Sequence, residues 1–134
     1  MEYDVIKYYE NSESESPEEK APSIIFCKFM IIINADTAYF TIGDIGKFPY
    51  HANIVDRFCK DRDIPAAWKR KPDVVEIYSE ETELKGGGMV DIDENKKILK
   101  IYGYSTAYGP TNVEYLKGFV INHPFFEEYS VRFR

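Results

Sequence analysis

Cysteine and histidine are scarce in this chain, long apolar runs are missing, and positive charge is in deficit. There are two cysteines, Cys27 and Cys59, and two histidines. Two distant cysteines make no disulfide framework, and so few scattered ligands spell no zinc set. The longest apolar run goes only from Phe29 to Ile33, far short of the ~20 residues that span a bilayer. Lys and Arg total 17 against 23 Asp and Glu, a net charge of −6. Phosphate backbones and anionic membranes are held by clustered cations, so neither nucleic acid nor a membrane is an expected partner. Met1-Glu2-Tyr3-Asp4 lacks the basic-then-apolar opening of a signal peptide. The reducing cytoplasm is therefore the expected compartment.

Signatures of phosphate chemistry are missing too. No Cys is followed by five residues and an Arg. Neither Gly-x-x-x-x-Gly-Lys-Ser/Thr nor Gly-x-Gly-x-x-Gly occurs, so no glycine-rich nucleotide loop is present. Asp91-Ile92-Asp93-Glu94-Asn95 opens like a calcium loop. Its sixth position is Lys96 instead of Gly, and its twelfth is Tyr102 instead of an acid. It reads as a hairpin turn. No metal and no other cofactor is expected.

Aromatic residues are abundant: 11 Tyr, 9 Phe and 1 Trp. They bury large areas and suit half-buried pleated surfaces, so sheet should supply much of the core. At 134 residues the chain fits a single domain. Residues 10–20, ENSESESPEEK, are acidic and carry no apolar side chain, so they cannot repay the entropy of ordering. Residues 1–20 are read as an acidic, partly flexible N-terminal segment whose removal should leave most of the stability, the weak point being Val5 to Tyr9 as a candidate edge strand. Residues 21–134 form the folded domain.

Ile24 to Asn34 is bulky and β-branched on both faces, which predicts a central strand. Ala38 to Ile42 is a second, shorter one, broken by Gly43 and Gly46. Ile54, Val55 and Phe58 form a helical stripe, predicting a helix over 50–62 that stops before Pro65. Ala66 to Lys71 reads as a further helical turn. Val74 to Leu84 reads as a strand. Residues 97–104 pair across the turn at Asp93–Lys96. Thr111 to Asn122 reads as a helix with Pro110 and Thr111 at its start, and 129–133 as a last strand. The order predicts an α+β fold, a mixed sheet with two main helices packed on it.

Three features remain: Tyr50-His51-Ala52-Asn53-Ile54 at a helix start, Gly86-Gly87-Gly88 before a hairpin, and Tyr102-Gly103-Tyr104-Ser105-Thr106-Ala107-Tyr108-Gly109-Pro110. Together they resemble the Janus/Ocnus family of phosphohistidine phosphatases, over roughly residues 24–134. From Gly86 to Pro110 the resemblance needs no gap. The resemblance implies a metal-independent protein phosphohistidine phosphatase that cleaves a P–N bond. His51 is then the catalytic residue, as general base or as nucleophile. Lys28, Tyr50, Ala52, Ser105 and Ala107 surround the phosphoryl group, with Lys28 acting electrostatically. Its partners are phosphohistidine-containing proteins, and the protein is read as a monomer.

The physical chemistry agrees with that assignment. A helix N-terminus offers unpaired N–H groups and partial positive charge, here at His51 and Ala52, and the turn from Ser105 to Ala107 can add more. Ser105 brings a hydroxyl, and small Ala107 admits a phosphate. Tyr102, Tyr104 and Tyr108 read as structural, with Tyr108 the candidate pocket wall. Cys59 reads as packing and His123 as a loop residue. Two departures matter: the family often carries Arg where Gly43 and Met89 stand. Lys47 is the candidate replacement. The stretch 59–85 is longer than is usual in the family. The rival readings are a catalytically weakened phospho-residue binding module and a Janus-type developmental or sex-regulated interaction protein.

Overall fold

The computed structural model describes residues 1–10 and 24–134. From position 11 on, the acidic stretch expected over 10–20 lies outside the described residues. Strands dominate: β1 Glu2–Tyr8, β2 Ile24–Asn34, β3 Thr37–Asp44, β4 Ala66–Arg70, β5 Val74–Ile77, β6 Thr82–Asp93, β7 Ile98–Tyr102 and β8 Ser130–Phe133. Six of them form one mixed sheet in the order β1-β3-β2-β6-β7-β8, and β4 and β5 form a separate hairpin. β1 runs parallel to β3 and β8 parallel to β7, while the inner pairs are antiparallel. The α+β mixed sheet read from the sequence is the architecture observed.

Alternation along β2 builds a core on each face of the sheet. Phe29, Ile31 and Ile33 join Phe40, Leu99 and Phe119 under α2 Val113–Asn122 and the short α3 Pro124–Glu127. Met30 and Ile32 face the other way, onto Ile54, Val55 and Phe58 of α1 His51–Asp61. Cys27 is buried in the first core and Cys59 in the second, and both are free thiols. Burial pushes Cys27 up to about 12 and Cys59 up to about 11, so neither is a thiolate nucleophile at neutral pH. Among the described residues, no helix is long and apolar enough to cross a membrane.

β2, α1 and the β6–β7 turn lie where the sequence predicts them. At that turn the Asp93 carboxylate accepts the Lys96 N–H at 2.9 Å, as a hairpin requires. The helix expected from Thr111 begins at Val113 with Asn112 as its N-cap, and the short α3 after it was not expected; three further readings differ. Ala66–Arg70 is a strand rather than a helical turn, because half-buried Ala66 and Trp68 alternate with exposed Ala67 and Lys69. The expected strand over 74–84 is two strands, β5 and the start of β6. Gly43 lies inside β3 instead of ending it, because a Cβ there would sit 2.7 Å from the Phe48 ring. The ring needs that bare backbone, so Gly43 is a packing glycine.

β1 is built into the sheet through Glu2 to Tyr8, paired with Thr37 to Gly43. Tyr3 meets Phe119 edge-on at 5.1 Å, and Tyr8 stacks on Phe48 at 5.5 Å. A Cβ on Gly118 of α2 would meet the Tyr3 hydroxyl at 2.4 Å, so α2 carries its glycine where β1 crosses. The candidate edge strand is therefore real. Residues 2–8 thus belong to the sheet, where the sequence reading sets 1–20 apart from the folded domain.

Candidate active site

Four segments distant in sequence converge at the start of α1. β2 contributes Lys28, the α1 N-terminus Pro49, Tyr50 and His51, the β4–β5 turn Asp73, and the loop after β7 Tyr104 to Ala107. They line a pocket of about 330 Å³. Tyr50, at the N-cap, is extended, and its N–H donates to the Asn53 Oδ1 at 2.9 Å. The Asn53 N–H bonds the Tyr50 carbonyl at 3.0 Å. The N–H groups of His51 and Ala52 have no acceptor among the described residues. They are the unpaired donors expected of a first helical turn. The Ala52 side chain is fully buried in the core, so Ala52 can serve a ligand only through its backbone.

His51 is 7% exposed, and its Nε2 lies 2.8 Å from the Gly88 carbonyl. A carbonyl only accepts, so Nε2 carries the proton and Nδ1 keeps its lone pair. Burial holds the imidazole below the ordinary histidine value; the Gly88 bond opposes this, and the Lys28 charge adds to it.

The three glycines of β6 make this contact possible. A Cβ on Gly87 would lie 2.4 Å from the Phe29 carbonyl oxygen and 3.0 Å from His51 Cδ2. One on Gly88 would lie 2.7 Å from the Tyr102 carbonyl oxygen. Gly86 has φ +82, and a Cβ there would collide with the Pro110 carbonyl. The β2–β6 register also shifts opposite this segment, between Met30 and Ile32.

The loop from Tyr102 to Pro110 closes on itself through Ser105 and Gly109, whose N–H groups donate to each other's carbonyls at 3.2 and 2.8 Å. Ser105 Oγ accepts the Tyr108 N–H at 3.1 Å. The Ser105 N–H is thus occupied within the turn and is not available to an anion as the sequence suggested. Its hydroxyl proton and the N–H groups of exposed Thr106 and Ala107 remain unpaired among the described residues. Tyr108 does not line the pocket. Its hydroxyl accepts the Val75 N–H at 2.7 Å and meets the Val75 carbonyl at 3.2 Å, tying the loop to the β4–β5 hairpin. Of this loop's tyrosines it is Tyr104 that lines the pocket, and Tyr102 donates to Asp91 at 2.9 Å.

The charges around the pocket differ from the sequence reading at Lys47 and Asp73. Gly43 and Met89 flank Lys28 directly across the sheet, so both departures from the family pattern meet in one row. Lys28 Nζ lies 3.7 Å from the Met89 sulfur. Lys47 does not replace either arginine: it lies 3.6 Å from Glu10 and borders a separate groove with Tyr8 and Arg57. Asp73 is the pocket residue that sequence reasoning missed. Arg70 holds both its oxygens at 2.9 Å, which keeps the carboxyl below its usual range. The signal was present in Arg70-Lys71-Pro72-Asp73, a turn sequence. His123 is remote from the pocket, and its Nδ1 accepts the Phe125 N–H at 3.1 Å to cap α3.

The sequence model described as Janus/Ocnus family (Ocnus) matches residues 27–129. That span holds every residue of the pocket. No curated protein matches the chain.

Proposed function

The chain belongs to the Janus/Ocnus family, and we propose that it is a metal-independent protein phosphohistidine phosphatase acting through His51. The observation that carries the reading is the His51 ring: neutral, nearly buried, with Nε2–H fixed on the Gly88 carbonyl. The free Nδ1 lone pair has two uses. As a base it takes a proton from water while the water oxygen attacks phosphorus. As a nucleophile it bonds phosphorus itself, and water later releases the phosphate. In both, the P–N bond breaks and the departing imidazole nitrogen takes a proton. Lys28, the Ser105 hydroxyl and the N–H groups at 51–52 and 106–107 would offset the phosphoryl charge.

A phosphoimidazole suits such a site because its leaving nitrogen is protonated near neutral pH. Phosphate esters of Tyr, Ser or Thr leave poorly without stronger help. The test is turnover of a phosphohistidine peptide with chelator present. His51→Ala should lower it by ~10²-fold or more, and phosphotyrosine should be cleaved little. A His51→Ala protein with more than half the parental rate would end this proposal. The binding-module reading draws on the cations missing at Gly43 and Met89. Tight phosphopeptide binding without turnover would favour it.

A further inference from the structure

The face of the sheet that carries α1 is only half covered. α1 and the β4–β5 hairpin pack over Met30, Ile32, Tyr39 and Leu84. The same face continues across the start of β2, the end of β6, β7 and β8. Strand register fixes what stands there. Phe26, Asp91, Lys100 and Arg132 form one cross-strand row, and Ile24, Asp93 and Ile98 the next. Phe26 is 50% exposed and Ile24 39%. With Lys96 and Arg134 they border a groove of about 370 Å³. The adjoining row is Lys28, Met89 and Tyr102, and Lys28 also lines the His51 pocket. Groove and pocket are neighbours on one surface.

The groove is positive on a chain whose net charge is −6. Among the described residues, Lys96, Lys100, Arg132 and Arg134 enter no ion pair. The two carboxylates there are engaged: Asp91 accepts from the Tyr102 hydroxyl, and Asp93 accepts the Lys96 N–H. Unpaired cations around exposed Phe26 and Ile24 complement a segment that is acidic and carries an apolar side chain. We infer that this groove docks an acidic stretch of the phosphohistidine-bearing protein, beside the phosphorylated residue that enters the His51 pocket. The inference rests on the function proposed above.

Two phosphohistidine peptides, one flanked by Glu, Asp and Leu and one by Ser and Gly, test it on the full chain at low salt. The acidic peptide should show roughly tenfold higher kcat/KM, with the advantage shrinking as salt is raised. The double variant Lys100→Glu/Arg132→Glu should lose the preference and still hydrolyse free phosphohistidine like the parent. The unphosphorylated acidic peptide gives a readout without turnover: it should shift amide resonances around Lys100 and Arg132 in the parent but not in the variant. If those amides shift while no peptide is hydrolysed, the catalytic reading fails and the groove stands. Equal kcat/KM for the two peptides in an active enzyme, or unshifted amides, overturns the groove. So does peptide binding that appears only when residues 11–23 are replaced by a Gly-Ser linker, since the chain's own segment would then be the occupant.

Discussion

At His51, burial and the Lys28 charge disfavour the imidazolium while the Gly88 carbonyl favours it, and burial wins. Both roles proposed for His51 need the unprotonated Nδ1. The acid limb of kcat/KM should therefore fall below the ordinary histidine value of ~6.5. Stability carries the same sign. The unfolded ring titrates near ~6.5 and the folded ring lower, so between those values the unfolded chain binds more protons. Stability should be full above that window and fall as pH drops through it. Denaturant titrations across the window, with His51→Gln as the flat control, check this; a parent curve as flat as the variant's would show that the ring is not shifted. Asp73 makes a second residue-scale prediction. Asp73 brings a negative charge to the lining of the proposed phosphate pocket, so Asp73→Asn should tighten inorganic phosphate binding roughly two- to fivefold. An unchanged inhibition constant for phosphate would place the carboxylate outside the phosphate's reach.

Among the elements, the glycine segment of β6 decides whether the site exists. Gly87 is not needed for an unusual φ; it is needed because Phe29 backbone, the Met30 sulfur and His51 all crowd the place of its Cβ. Backbone cannot yield as a side-chain tip does, so Gly87→Ala should cost about 1–3 kcal/mol. It should also displace the ring from Gly88, losing activity beyond what the stability loss explains. Activity measured well below the variant's Tm separates the two effects. Gly-Gly-Gly was visible in the sequence, but its reason was not, since periodicity cannot show that β2 and α1 both approach one strand. The same limit explains β4. Ala66 and Trp68 are too few apolar positions to reveal a period of two, and Pro65 and Pro72 bracket a segment equally consistent with a helical turn. By contrast β2 carries a long β-branched apolar run and α1 a helical apolar stripe, and both fall where these signals put them.

For the whole molecule, the pocket residues named from the sequence do meet: Lys28, Tyr50, His51, Ser105 and Ala107 line one cavity, with Ala52 behind it. Tyr50, His51, Ala52, Ser105 and Ala107 were legible because the Tyr50–Ile54 and Tyr102–Pro110 motifs are local, and Lys28 only through the family resemblance. Asp73, Phe48 over Gly43 and the Glu10 partner of Lys47 were not, because each depends on how distant segments are laid together. The largest such case is β1. The acidic stretch after it suggested that the whole N-terminal segment is dispensable, yet Tyr3 and Val5 pack against the α2 side of the sheet and Ile6 and Tyr8 against the α1 side. An edge strand that contributes to both cores cannot be cut without opening both. Deleting residues 2–8 should therefore cost at least ~3 kcal/mol, the scale of losing large core side chains. Tm should fall on the order of 10 °C or more. Tyr3→Ala alone should account for part of the loss by uncovering Phe119 and the Gly118 notch. A deletion variant that melts with the parent would mean that β3 serves as the sheet edge equally well, and that β1 is an accessory to the fold.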